Sequence, residues 1–208
     1  MDYLRNPAEI YRRSFATIGS ERDLGRLPPD QAALAARVAH ACGMVDVIDT
    51  LVVSPNAIAA ARAALQNGAS VLCDAQMVAH GVLRKRLPAG VQIKCTIDAP
   101  ETAARAAALG TTRSAAAVDL WDIEGAVVAI GNAPTALFRL LENIDAGGKR
   151  PAAVFAFPVG FVGAAESKAE LVAAPRGLEF ATLPGRRGGS AMAAAAINAL
   201  FGNPEANP

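Results

Sequence analysis

Five short runs of nearly continuous apolar residues punctuate the chain, at 70–73, 92–96, 126–130, 152–157 and 179–182. Runs of this length, apolar at consecutive positions rather than at every second one, fit parallel strands covered on both faces. Longer stretches with helical spacing follow them, at 75–81, 100–109, 114–121, 134–145, 164–173 and 190–201. This alternation predicts an α/β domain of three layers, flavodoxin-like or Rossmann-like, with a parallel sheet between helices. Ahead of the first run, 7–21, 30–42 and 56–66 also carry helical spacing and predict an N-terminal helical extension. On the first of these, Ile10, Phe15 and Ile18 mark the side expected to be buried. No linker or repeat divides the chain, so residues 1–208 read as one domain with a fraying tail from about 202.

Composition narrows the function classes. The chain of 208 residues is 52% hydrophobic, enough to bury a sizeable core, and much of the excess is alanine, which favours helices packed at close range. Aromatics make up 5% and the net charge is +1 with scattered arginines, which argues against a nucleic-acid partner. Cys42, Cys73 and Cys95 lie far apart without metal-ligand spacing, and an odd count points to a reducing cytoplasm. The first seven residues lack the apolar core of a signal peptide, and the apolar stretch 191–201 is too short for a bilayer, so no membrane partner is expected.

Candidate chemistry starts at His40, one of two histidines, which sits just before Gly43 at the end of an alanine-rich helix opening at Pro29. Imidazole exchanges a proton near neutral pH at little cost, which makes this ring a candidate acid or base, although a histidine there also serves as a C-terminal cap. In open parallel sheets, ligands bind beyond the carboxyl ends of the strands. Three such loops carry glycine before a helix: 131–135, 158–168 and 185–191. They are expected to aim free backbone N–H groups at one crevice and so to form an anion site, with Lys168 or Arg186 adding charge. Asn132 and Asp74 read as helix caps, and so does Thr112 ahead of Arg113 and Ser114. His80, before Gly81, reads first as another C-terminal histidine. Neither a dinucleotide-binding glycine motif, a phosphate-binding loop nor a serine-hydrolase elbow is present.

The ordered segments Ile10–Phe15, Val38–Gly43, Leu72–Gly81, Thr112–Ala116, Ala129–Phe138, Val159–Lys168 and Gly188–Met192 resemble the precorrin-8X methylmutase family of the cobalamin pathway. Two of them, Gly-Asn-Ala-Pro-Thr-Ala-Leu at 131–137 and Gly-Phe-Val-Gly-Ala-Ala-Glu-Ser-Lys at 160–168, are too long for chance. The resemblance implies a flavodoxin-like fold, a homodimer with sites near the subunit interface, and no cofactor or metal. It implies an isomerase that moves a methyl group from C-11 to C-12 of precorrin-8X to give hydrogenobyrinic acid. The family's catalytic histidine falls on His40 and its substrate-contacting serine on Ser14. Further substrate contacts are expected from Arg13, His80, Arg113, Asn132, Thr135, Gly163 and Lys168, several of them suited to the substrate's carboxylates. Two alternatives stand beside this reading: the cobalt-precorrin-8 methylmutase of the anaerobic route, and a non-catalytic tetrapyrrole carrier.

Overall fold

Side chains along the strands alternate between two hydrophobic cores, and this alternation organises the whole computed structural model, which describes Met1 and residues 3–202. Val71, Cys73, Val127, Ala129, Ala153, Phe155 and Ala181 enter one core, whereas Leu72, Val128, Ile130, Val154, Ala156 and Phe180 enter the other. Both faces of the sheet are therefore buried, as the continuous apolar runs predicted.

Six strands form the sheet: β1 (Val52–Val53), β2 (Val71–Cys73), β3 (Ile93–Cys95), β4 (Val127–Ile130), β5 (Ala153–Ala156) and β6 (Phe180–Thr182), in the order β1-β6-β5-β4-β2-β3. The five strands from β2 to β6 run parallel. Counted alone they stand in the order 2-1-3-4-5, which is the flavodoxin-like arrangement. The sixth strand is a correction to the expected sheet, because β1 pairs antiparallel with β6, Val52 opposite Thr182. It covers an edge that would otherwise offer unpaired backbone groups.

Helices α1 (Pro7–Glu21), α2 (Pro29–Cys42), α4 (Ala57–Gln66), α5 (Gln76–Gly81) and α10 (Ser190–Asn198) lie on the first core, together with the short α3 (Val47–Thr50). On the second core lie α7 (Arg113–Val118), α8 (Pro134–Asp145) and α9 (Ala164–Ala173), with α6 (Pro100–Leu109) packed on α7. Of the predicted extension, α1 and α2 stand in tiers, with α10 resting on the sheet, α2 on α10 and α1 on α2, whereas α4 follows β1 and packs directly on β4 and β5. Alanines at 193–196 of α10 are buried, and such small side chains let the helix axes approach closely. Ile10 departs from expectation, being 46% exposed, while Phe15 and Ile18 are buried. The last helix stops at Asn198 rather than 201, with the Asn198 side chain bonded to the Leu83 amide and the Gly81 carbonyl. The part of the expected fraying tail at 203–208 lies outside the described residues.

Candidate active site

The last turn of α2 carries His40, and Gly43 ends the helix in the left-handed conformation (φ 69°), its N–H bonded to Ala39 O. A glycine adopts that conformation without a Cβ clash. Helix α1 lies along α2 so that Ser14 Oγ stands 2.8 Å from His40 Nδ1. Phe15 stacks on the imidazole at 4.9 Å between ring centres, and Tyr11 meets it edge-on at 5.5 Å. Tyr11, Ser14 and Phe15 are spaced three and four residues apart, so one face of α1 presents all three. The ring remains on the surface, and Nε2 has no protein partner among the described residues. Burial of the inner edge, and then the charge of Arg37, hold the His40 pKa below the usual imidazole value.

Arg37, one turn before His40, was not marked by the sequence. Its residue is 7% exposed, and the guanidinium lies 5.2 Å over the Tyr11 ring and 5.3 Å over the Phe15 ring. Nε and Nη2 are buried without a hydrogen bond, as is the Tyr11 hydroxyl. The only signal in the sequence is spacing: Arg37 precedes His40 by three residues, as Tyr11 precedes Ser14.

The crevice where the strand order reverses, between β2 and β4, is the usual ligand position in such sheets. Here it is filled from within. Asp74, directly after β2 and 1% exposed, accepts the backbone N–H groups of Gly131, Asn132 and Ala133 at 2.9, 2.9 and 2.7 Å. The expected anion site at this junction is thus occupied by the protein's own carboxylate. Asp74 does not cap the helix that follows it, and Asn132 does not cap α8, whose N-cap is Ala133. Gly131 allows the close approach: a Cβ there would meet Val78, Ser190 and Ala193 at 2.8 Å.

The other two loops are also engaged. Gly189 N–H bonds to Phe157 O, and Gly160 N–H to Arg186 O. Arg186 lies 5.5 Å over the ring of Phe161, which is 84% exposed beside Val162 at 88%. Lys168 corrects a second expectation, because it is fully buried and donates to Arg187 O at 2.6 Å. Burial, and then the charge of Arg187, push its pKa down to about 8. In this position its ammonium group ties α9 to the loop after β6. The Arg187 side chain bonds in turn to Asp46, just past α2. This exposed bridge links the loop after β6 to the segment that follows α2, while the packing of α2 itself is on α10.

The remaining predicted residues divide. Arg13 is next to Ser14 but pairs with Glu9 at 2.5 Å. His80 is exposed, its Nδ1 2.8 Å from Gln76 O, as a C-terminal histidine behaves. On the second face, Thr135 bonds to Thr112 Oγ1 at 2.8 Å, Thr112 caps α7, and Arg113 is exposed at its first turn. Thr135 also lines a cleft of about 460 Å³ with Leu109, Phe138 and Arg139. Gly163 abuts Pro134 and Phe138 of the same helix. Ser14 and His40 therefore come together, whereas Thr135, Arg113 and Gly163 gather on the opposite face of the sheet. The loop bearing Asn132 lies between.

Comparison with known proteins bears on the family and the fold. A family model described as precorrin-8X methylmutase matches residues 9–202. The precorrin-8X methylmutase of Pseudomonas aeruginosa is 58% identical over 96% of this chain and 97% of its own length, and that of a Sinorhizobium species is 56% identical over 96% of each. A relative named cobalt-precorrin-8 methylmutase, from Priestia megaterium, is 36% identical over 93% of this chain and 87% of its own. The solved structure of the Thermus thermophilus precorrin-8X methylmutase superposes with a TM-score of 0.82 at 36% identity, covering 92% of this chain and 93% of that one. No helix among the described residues is long and apolar enough to cross a membrane. With the family model matched over nearly all its residues and relatives above half identity, the chain belongs to the precorrin-8X methylmutase family.

Proposed function

We propose that this protein is a precorrin-8X methylmutase, an isomerase of cobalamin biosynthesis that moves a methyl group from C-11 to C-12 of the metal-free tetrapyrrole. The observation that carries the site is the Ser14–His40 hydrogen bond beside an imidazole edge left open on the surface. A methyl shift around a conjugated ring consumes no co-reactant. It needs a rigid pocket and a proton on the macrocycle that biases the π system towards migration. His40 supplies that proton from Nε2 and takes one back when the product forms, so mass is conserved. The acid is the imidazolium: Ser14 accepts from Nδ1–H in the charged ring and goes on accepting after Nε2 has given up its proton, so the neutral ring is left as the Nδ1–H tautomer.

The substrate's carboxylates meet Arg13 and Arg113, with Thr135, Asn132, Gly163 and His80 as the other contacts; Lys168 is reassigned to the loop it supports. These residues occupy opposite faces of one sheet, and a homodimer would bring one copy's His40 group to the other copy's Thr135 group. The exposed Phe161 and Val162 give such a pairing an apolar surface. The chain acts as one domain in the cytoplasm, in keeping with three free thiols.

Incubation of the purified protein with metal-free precorrin-8X is the test. A corrin chromophore appearing at unchanged mass is expected. Turnover of the cobalt-bearing substrate alone would overturn the metal-free assignment, and bound pigment without conversion would make the protein a carrier. The relatives named for precorrin-8X, at 56–58% identity against 36% for the cobalt-type relative, favour the first outcome.

A further inference from the structure

Arg37 is a cation buried at a cost that nothing visible repays. Removing a guanidinium from water is unfavourable by several kcal/mol unless a counter-charge or hydrogen bonds compensate. Among the described residues no carboxylate pairs with Arg37, and Nε and Nη2 make no hydrogen bond. Among the described residues, Tyr11 and Phe15 supply its favourable surroundings, through their ring faces and the polar end of Tyr11, and cation–π contact of this kind offsets only part of the cost. These two rings are also the ones that hold His40.

We propose that Arg37 is a positioning residue: its buried, carboxylate-free charge keeps His40 a neutral imidazole in the empty protein, so that the ring takes its proton only when the carboxylates of a bound substrate arrive. The proposal rests on the reading of His40 as proton donor for its catalytic consequence, but not for its first half. A polyanionic ligand would offset the Arg37 field and make the imidazolium favourable at the moment it is needed. The acid would then be charged by the molecule it acts upon.

The groups that face this pair are few. From α1 come Tyr11 and Ser14, while Glu9, Arg12 and Arg13 pair among themselves. The turn at Arg84–Arg86 brings Arg86, whose charge bears on Arg37 in the same sense. Asp49 of α3 is taken by Arg22 and by Arg26. Helix α10, on the far side of α2, has no titratable residue between Ser190 and Asn198. Burial and the Arg37 charge both act to keep the ring neutral.

Titration of the two histidine rings by NMR in the ligand-free protein tests this without substrate, with His80→Gln used to assign the signals. The wild-type His40 midpoint is expected below the ordinary value of 6.5. In Arg37→Met it should rise by about half a unit to one unit, as loss of a nearby cation requires. Arg37→Lys should restore it. A folded Arg37→Met whose His40 midpoint equals the wild type overturns the proposal. If that variant does not fold, a wild-type midpoint at or above the ordinary value overturns it alone. In turnover, the alkaline limb of kcat should move up with the midpoint. A shifted midpoint with an unmoved limb would count against His40 as the acid and leave the Arg37 effect standing.

Discussion

At the scale of single residues, chemistry here depends on which groups are denied solvent. His40 keeps one edge in water and gives the other to Ser14, Phe15 and Tyr11. His40→Ala should lower kcat by about 10²–10⁴-fold, the usual range for a lost general acid, while tetrapyrrole binding persists. Stopped absorption assays beside equilibrium binding will separate the two. Lys168 makes a second case. Its folded pKa is lowered to about 8, so between that pH and the ordinary 10.5 the unfolded chain binds more protons than the folded one. Stability from this residue therefore rises with pH across that window. Cys42, Cys73 and Cys95, whose thiols burial pushes up, act in the opposite sense above pH 9. The difference in Tm between wild type and Lys168→Met is therefore the quantity to follow, and it should grow in favour of the wild type from pH 8 to 10. His40 and Ser14 were legible from rarity and from the segments around them. Arg37 and Tyr11 were not, because a buried charge is defined by two helices crossing, and neither helix alone reveals it.

At the scale of elements, the junction between β2 and α8 is a structural lock rather than a ligand seat. One carboxylate satisfies three amides that would otherwise be buried donors. Asp74→Ala should cost about 3–5 kcal/mol, since it strands those amides as well as losing charge-assisted bonds. For a chain of this size that is a fall in Tm of about 6–20 °C, readable by calorimetry. The glycine-rich loops were easy to find in the sequence but their occupancy was not, since the partner of 131–133 lies 57–59 residues away. Most strands and helices fell where apolar spacing placed them. The two-residue β1 escaped notice because it is too short to show a period and exists only through its pairing with β6.

At the scale of the whole molecule, strand order sorts the residues of interest onto two faces, and no local pattern announces that sorting. Alternation of strand and helix predicts layers; which strand lies beside which is decided by the crossovers. The result places the α1–α2 pair as an outer tier that touches the sheet chiefly through α10. That tier has a consequence for how the protein is made. Residues 7–42 leave the ribosome early, yet their support, α10, comes about 150 residues later. At about 5–20 residues per second, roughly 7–30 seconds of synthesis separate a finished α2 from the surface it packs on. Half-made chains thus carry His40 and its partners on α1 before the surface that seats α2 exists, and the seated site arrives only with α10.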